Sequence, residues 1–166
     1  MLSKILSREE CSKCRICCQF DDSDLWETPV IYNDIADSIL KINPKQEFLE
    51  TDINDHNKIR VLKLNKENEL YPCTMLDKDK GCMLSSEDKP FDCKIWPLRV
   101  MKKDDSIVIT LSPVCPVVAE KPIEDVKNVV NELSDLIFDQ AGLHPEIIKD
   151  YIDGYKILDS RSLVTH

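Results

Sequence analysis

Three glycines, Gly81, Gly142 and Gly154, are all that the 166-residue chain contains. A dinucleotide-binding fingerprint or a P-loop needs several closely spaced glycines, so that the backbone can approach a phosphate. Neither can be built here. Histidine is as scarce: His56 lies in a polar stretch, His144 just before Pro145 and His166 at the end of the sequence. None stands beside a cysteine group, and each reads as a surface residue. Long apolar runs are missing too; the longest, such as residues 107–111, fall far below the roughly 20 residues a membrane helix needs. Positive charge is in deficit, with 22 Lys and Arg against 31 Asp and Glu for a formal net charge of -9. That argues against a nucleic-acid surface, where phosphates select clustered cations. The opening MLSKILSREE lacks a sustained apolar stretch and a small-residue cleavage site, so no signal peptide is expected. The expected location is cytoplasmic, where thiols stay reduced, with neither a membrane nor a nucleic acid as partner.

What the chain does have is eight cysteines, at 11, 14, 17, 18, 73, 82, 93 and 115. Two cysteine-bearing regions flank a cysteine-free insert, and a cysteine-free tail follows. In the insert, Thr28 and Pro29 are placed to open a helix whose apolar residues Ile31, Ile35, Ile39 and Ile42 recur at steps of three and four, ending near Asn43-Pro44. HNKIRVLKLN interleaves Ile59, Val61, Leu62 and Leu64 with Lys58, Arg60 and Lys63, the pattern of a half-buried strand. Residues 77–81 form a turn that can return Cys82 close to Cys73. Strands are expected at about 95–101 and 107–111, with Pro97 putting the first at an edge or a bulge. Pro122 opens a helix that stops near Gly142, and Pro145 opens a last one carrying Ile148, Tyr151, Ile152 and Tyr155. The expected class is α+β: a small antiparallel sheet with cysteine-rich metal-binding loops, covered by helices. At this length, one domain over residues 1–166 is expected, able to bury about two thirds of its unfolded surface. Within it, a cysteine-cluster region 11–116 precedes a helical segment 121–158.

Four roles for the thiols compete. An even count permits disulfides, but the chain is large enough to fold unaided and four thiols crowd into one short segment. Burial as small hydrophobes explains one or two, not CSKCRICC with polar Ser12, Lys13 and Arg15 between the thiols. A catalytic dithiol needs one pair and usually a preceding strand. Metal ligation fits the spacing, because two intervening residues let the backbone curl successive sulfurs toward one centre. Three thiols in the repeat Cys11, Cys14, Cys17 exceed the two of a zinc knuckle. Together with the remote Cys115-Pro116, they match the bacterial ferredoxin run. Cys17 and Cys18, when extended, point to opposite faces, so one of them is expected to serve a second site or an outer role. Eight thiols can hold two four-thiolate centres, or one centre with thiols to spare. Lys13, Arg15, Lys89, Lys94 and Arg99 each lie close in sequence to a cysteine and as a set could offset thiolate charge.

The order Cys-x-x-Cys-x-x-Cys-Cys, then Cys73 and Cys82, then Lys89-Pro90-x-x-Cys93-x-x-x-Pro97, then Cys115-Pro116 resembles the YkgJ-type cysteine-cluster family of zinc- or iron-chelating domains. The resemblance covers about residues 11 to 116, and all eight cysteines have counterparts. Members typically carry Arg-Pro-x-x-Cys-Arg, where this chain has Lys89-Pro90 and Cys93-Lys94, and commonly a glycine where it has Arg15. A similar cluster occurs in flagellin lysine methylases, where the family picture implies an iron-sulfur cluster. The Cys-x-x-x-Cys-x-x-Cys spacing of radical S-adenosylmethionine chemistry is absent.

Three functions are therefore expected to compete. The first is a cytoplasmic metal-binding protein in which Cys11, Cys14, Cys17, Cys18, Cys73, Cys82, Cys93 and Cys115 hold an iron-sulfur cluster, a 4Fe-4S cluster first, with zinc as the alternative. The second is an enzyme in which that cluster supports methyl or electron transfer, with Asp21, Asp22, Trp26 and Trp96 near the cysteines. The third is a zinc-stabilised module whose acidic helices bind a protein partner. No catalytic residue is assigned.

Overall fold

The structure, a computed structural model, describes residues 1–54 and 57–163, so His56 and His166 lie outside the described residues. The chain divides into two compact units, one formed by Cys11–Lys94 and the other by Met1–Glu10 with Ile95–His166.

The thiol-bearing unit is entered through α1 (Arg8–Cys14). This helix begins where Ser7 N–H donates to Glu10 Oε2 at 2.9 Å and Glu10 N–H donates to Ser7 Oγ at 3.1 Å, a reciprocal capping pair. A 3-10 turn over Ile16–Cys18 follows, then β1 (Gln19–Phe20). The expected helix is present as α2 (Asn33–Ile42), with Ile35, Ala36 and Ile39 buried along one face. It starts four residues later than Thr28-Pro29 suggested. Thr28 instead closes the preceding turn, its N–H donating to Asp24 O at 3.0 Å. The next two amides are then claimed by distant acceptors, Val30 N–H by Asp92 Oδ2 at 3.0 Å and Ile31 N–H by Arg60 O at 2.8 Å. Both acceptors hold the backbone extended.

β2 (Phe48–Asn54) and β3 (Asn57–Leu62) form a hairpin in the register Phe48↔Leu62 to Asp52↔Lys58. Opposite charges meet across it, with Arg60 Nε 2.8 Å from Glu50 Oε1. The expected strand at 57–62 is there, and its partner β2 is an addition. β4 (Tyr71–Pro72) pairs with β1, and β5 (Leu76–Asp77) pairs with β6 (Gly81–Cys82). The turn between β5 and β6 is set by Asp77 Oδ1, which accepts from the backbone N–H of Asp79 and of Lys80, each at 2.8 Å. α3 (Phe91–Ile95) carries the chain out of the unit. The core gathers Phe20, Ile31, Ile39, Leu62, Met75 and Leu84, with Cys73 and Cys82 packed against it.

The other unit is a four-stranded sheet beside a long helix. β7 (Leu98–Lys103) and β8 (Ser106–Leu111) form the antiparallel hairpin that the sequence indicates. β7 is not an edge strand. It sits inside the sheet and begins after Pro97, so the proline interrupts no ladder. α4 (Pro116–Ala119) is a single short turn, and α5 (Ile123–Leu143) runs close to its expected limits, burying Val126, Val130, Ile137 and Phe138. Lys4 Nζ reaches Glu132 Oε2 of α5 at 2.7 Å, and Lys121 Nζ reaches Glu10 Oε1 at 3.4 Å.

The last expected helix is not formed. Pro145–Ile147 makes one 3-10 turn, followed by β9 (Lys149–Asp150) and β10 (Lys156–Ser162). β9 pairs in parallel with β7, β10 antiparallel with β8, and Gly154 turns the chain between them at a φ of +100°. The class is thus α+β, with small, mainly antiparallel sheets and helices. Among the described residues no helix is long and apolar enough to cross a membrane.

Candidate metal centre

Cys11 and Cys14 stand one helical turn apart on α1. The helix stops at Arg15, which takes φ 58° and ψ 2°, the left-handed conformation that glycine adopts without a steric penalty. Arg15 thus occupies a glycine-like backbone position, and its Nε–H returns to Ser12 O at 3.0 Å. The turn that follows changes the geometry expected of Cys17 and Cys18. They are helical rather than extended, so their sulfurs lie on neighbouring sides at 4.0 Å.

Cys73 is brought to this segment by the backbone: its N–H donates to Cys18 O at 2.8 Å, continuing the β1–β4 pairing. Leu76 N–H then donates to Cys73 O at 3.0 Å, closing a turn over residues 73–76. Inside that turn the Met75 N–H donates to the Cys73 sulfur. Cys82 lies opposite Leu76 on β6, and Met83 N–H to Met75 O at 2.8 Å extends the pairing; the turn at 77–81 returns it near enough for its charge to act on Cys73, as expected. Gly81 has a φ of +79°, and a Cβ placed on it would meet Ser12 Cβ at 2.7 Å. Only a residue without a side chain lets the hairpin press against α1 between Cys11 and Cys14. Cys93 follows Pro90 on α3, its N–H donating to Pro90 O at 3.0 Å. Its helix is docked by the Asp92 bond to Val30 N–H.

These seven thiols all belong to the Cys11–Lys94 unit. Cys115 belongs to the other, where it is buried at 5 % exposure and immediately precedes Pro116 at the start of α4. None of the eight is in a disulfide.

The thiols act on one another. Cys11 is raised far above the ordinary value by its hydrogen bond with Cys17, by burial and by the Cys17 charge, while Lys89 works in the opposite direction. At Cys17 the bond to Cys11 lowers the pKa, but the bond to Cys18, burial, and the charges of Cys18 and Cys14 outweigh it and push it up to about 12. Burial, opposed by the Met75 N–H and aided by Cys82 and Cys17, brings Cys73 to about 11. Cys93 keeps an exposed surface yet is crowded by protein, which raises its pKa first through desolvation and then through Cys73, Asp92, Cys17 and Cys82. A single thiolate among so many buried thiols is costly, and a nearby positive charge would offset that cost.

Of the basic residues near cysteines, Lys89 acts on a thiol, whereas Arg15 acts on Asp77, Lys94 bonds Glu87 O at 2.7 Å, and Arg99 stacks 5.6 Å over Trp96. Asp21 and Asp22 are exposed beyond β1, and Trp26 is half-buried in the turn after them. His144 Nδ1 lies 3.5 Å from Glu146 Oε1 in the other unit. The donor set fits a soft thiophilic centre in chemistry and in neighbourhood, although no three His, Cys, Asp or Glu among the described residues are grouped as they stand to hold an ion. One contributor went unread in the sequence: the Met75 amide, which has no sequence signature.

No family model matches the chain, and no curated protein or solved structure does either.

Proposed function

We propose that this chain is a metal-binding protein of the YkgJ type that holds its metal by cysteine thiolates, an iron-sulfur cluster ahead of zinc, in a reducing, cytoplasmic setting. The observation that carries the reading is the meeting of four separate chain segments, bearing Cys11 to Cys18, Cys73, Cys82 and Cys93, within one unit. Cys17 is the thiol on which they converge, interacting with Cys11, Cys14, Cys18, Cys73 and Cys93. All eight cysteines, Cys115 included, remain in the ligand set that the resemblance suggests. When bound, a cluster supplies electron transfer, on its own account or in support of a methyl transfer, and a zinc ion closed by four sulfurs supplies a structural cross-link. The zinc case is the second reading, a protein-interaction module without catalysis. The acidic balance, a net charge of -9, favours a basic partner for it.

Purification without oxygen, followed by metal and sulfide analysis and a visible spectrum, decides between them. Broad brown absorption with iron and inorganic sulfide is the expected result, and Cys17→Ser should reduce both to background. Colourless protein with stoichiometric zinc replaces the first reading by the second. Protein that binds neither overturns both.

A further inference from the structure

Cys17 has two sulfur neighbours. Its Sγ lies 4.0 Å from that of Cys18, and it shares a hydrogen bond with the Cys11 thiol. The contact with Cys11 is made across a bend. α1 ends at Cys14, Arg15 takes its left-handed conformation, and the 3-10 turn that follows carries Cys17 back toward Cys11. Both are free thiols and only half-buried, so a small reagent can reach them from solvent.

The two neighbours differ in what they can form with Cys17. A disulfide usually spans about 4.4–6.8 Å between Cα atoms. Cys17 and Cys18, joined by one trans peptide, are held at about 3.8 Å, and a bridge between them would have to distort that peptide. Cys11 stands on a separate element and carries no such constraint. Charge points the same way. A thiolate at Cys17 is opposed by burial and by the sulfurs around it, whereas a disulfide has no charge to oppose.

We propose that Cys11 and Cys17 form a thiol–disulfide switch, bridging when a small disulfide such as oxidised glutathione is in excess and reopening when the corresponding thiol dominates. One cysteine sulfur bonds to a glutathione sulfur, breaking the S–S bond and releasing one glutathione, and the other cysteine sulfur then displaces the second. Two cysteine thiols are oxidised, one glutathione disulfide is reduced, and the two cysteine protons leave on the two glutathione thiols. Closure withdraws Cys17 from the thiols that converge on it. The inference is independent of the metal-binding reading above, because it concerns the chain without metal.

The test equilibrates the full chain, reduced and metal-free, with anaerobic mixtures of reduced and oxidised glutathione, quenches it by alkylation and maps the links by mass spectrometry. Tryptic cleavage after Arg8, Lys13, Arg15 and Lys41 separates residues 9–13, which hold Cys11, from residues 16–41, which hold Cys17 and Cys18. The expected result is a loss of two alkylated cysteines out of eight at the oxidising end, with residues 9–13 linked to residues 16–41. Fragmentation between Cys17 and Cys18 should place the alkyl group on Cys18, and excess reduced glutathione should restore all eight thiols. In urea, where the fold no longer holds the pair together, the same link should need roughly 10-fold or more oxidised glutathione. Alkylation of all eight cysteines at every ratio overturns the proposal, as does glutathione attached to single cysteines without the link. So does a different pair bridged in its place, or a link that forms as readily in urea.

Discussion

Gly81 shows how much a single position can decide in this molecule. Its φ of +79° already disfavours any side chain, and the 2.7 Å approach to Ser12 Cβ leaves no space for one. Gly81→Ala is expected to destabilise the protein by about 2–4 kcal/mol, the sum of left-handed strain and overpacking, measured by urea unfolding. In a Ser12→Gly background the Cβ contact disappears, while the Ser12 Cα at 3.0 Å and the strain stay, so the added cost of Gly81→Ala should fall without dropping below about 1–2 kcal/mol. An equal cost in both backgrounds would mean that α1 and the hairpin do not meet as described. The sequence marked Gly81 as part of a turn, because Asp77 and glycine are turn residues. It carried no sign of the contact with Ser12, which is a property of two segments folded together. The same holds for Cys17 and Cys18: their adjacency was plain, but the side each sulfur faces depends on the helical turn that Arg15 initiates.

Among the elements, α3 is a short helix that carries a thiol, and one bond that docks it comes from Asp92. Asp92 accepts from the amide of Val30, a residue at 1 % exposure. Removing the acceptor leaves a buried N–H unsatisfied, so Asp92→Ala should cost about 1–3 kcal/mol and Asp92→Asn, which keeps an acceptor oxygen, clearly less. Equal urea midpoints for Asp92→Ala and the native protein would show that water takes over the bond. Elements held by local signals were readable: α5 from its apolar period, the β7–β8 pair from its two apolar runs and polar turn. The end of the chain was not. Ile148, Tyr151, Ile152 and Tyr155 recur at helical spacing, but parallel pairing with β7, antiparallel pairing with β8 and a turn at Gly154 hold them extended. The delayed start of α2 has the same cause, since Val30 and Ile31 give their amides to partners far along the chain. Ser7 and Glu10 form a reciprocal cap whose S-x-x-E signature was present in the sequence and went unread.

For the molecule as a whole, the thiols couple stability to pH. Cys73 at about 11 and Cys17 at about 12 lie above the ordinary thiol value of 9.0. Below that value, folded and unfolded chains both keep these protons. Above it, the unfolded chain sheds protons that the folded chain retains, so their contribution is whole below pH 9 and is lost as the pH climbs through 11 and 12. The urea midpoint of the metal-free protein should accordingly fall between pH about 8 and about 10, and a midpoint that rises would contradict the buried, mutually repelling thiols. The proposed metal uptake would run the other way: it would need thiolates, so it would release protons and weaken as the medium is acidified. The crowding of Cys11, Cys14, Cys17 and Cys18 was legible in the sequence because it is local, but neither the gathering of Cys73, Cys82 and Cys93 into the same unit nor the boundaries between the two units were. Glu10 to Cys11 falls inside α1 and Lys94 to Ile95 inside α3, with no change of composition at either.

This nesting sets an order in time. The unit bearing seven of the thiols is one uninterrupted stretch ending at Lys94, whereas the other is split around it and needs a strand that ends as late as Ser162. At roughly 5–20 residues per second on the ribosome, the nested segment is complete several seconds before its host can close. The thiols of residues 11–94 can thus gather on a nascent chain while residues 1–10 still await the partners with which they fold.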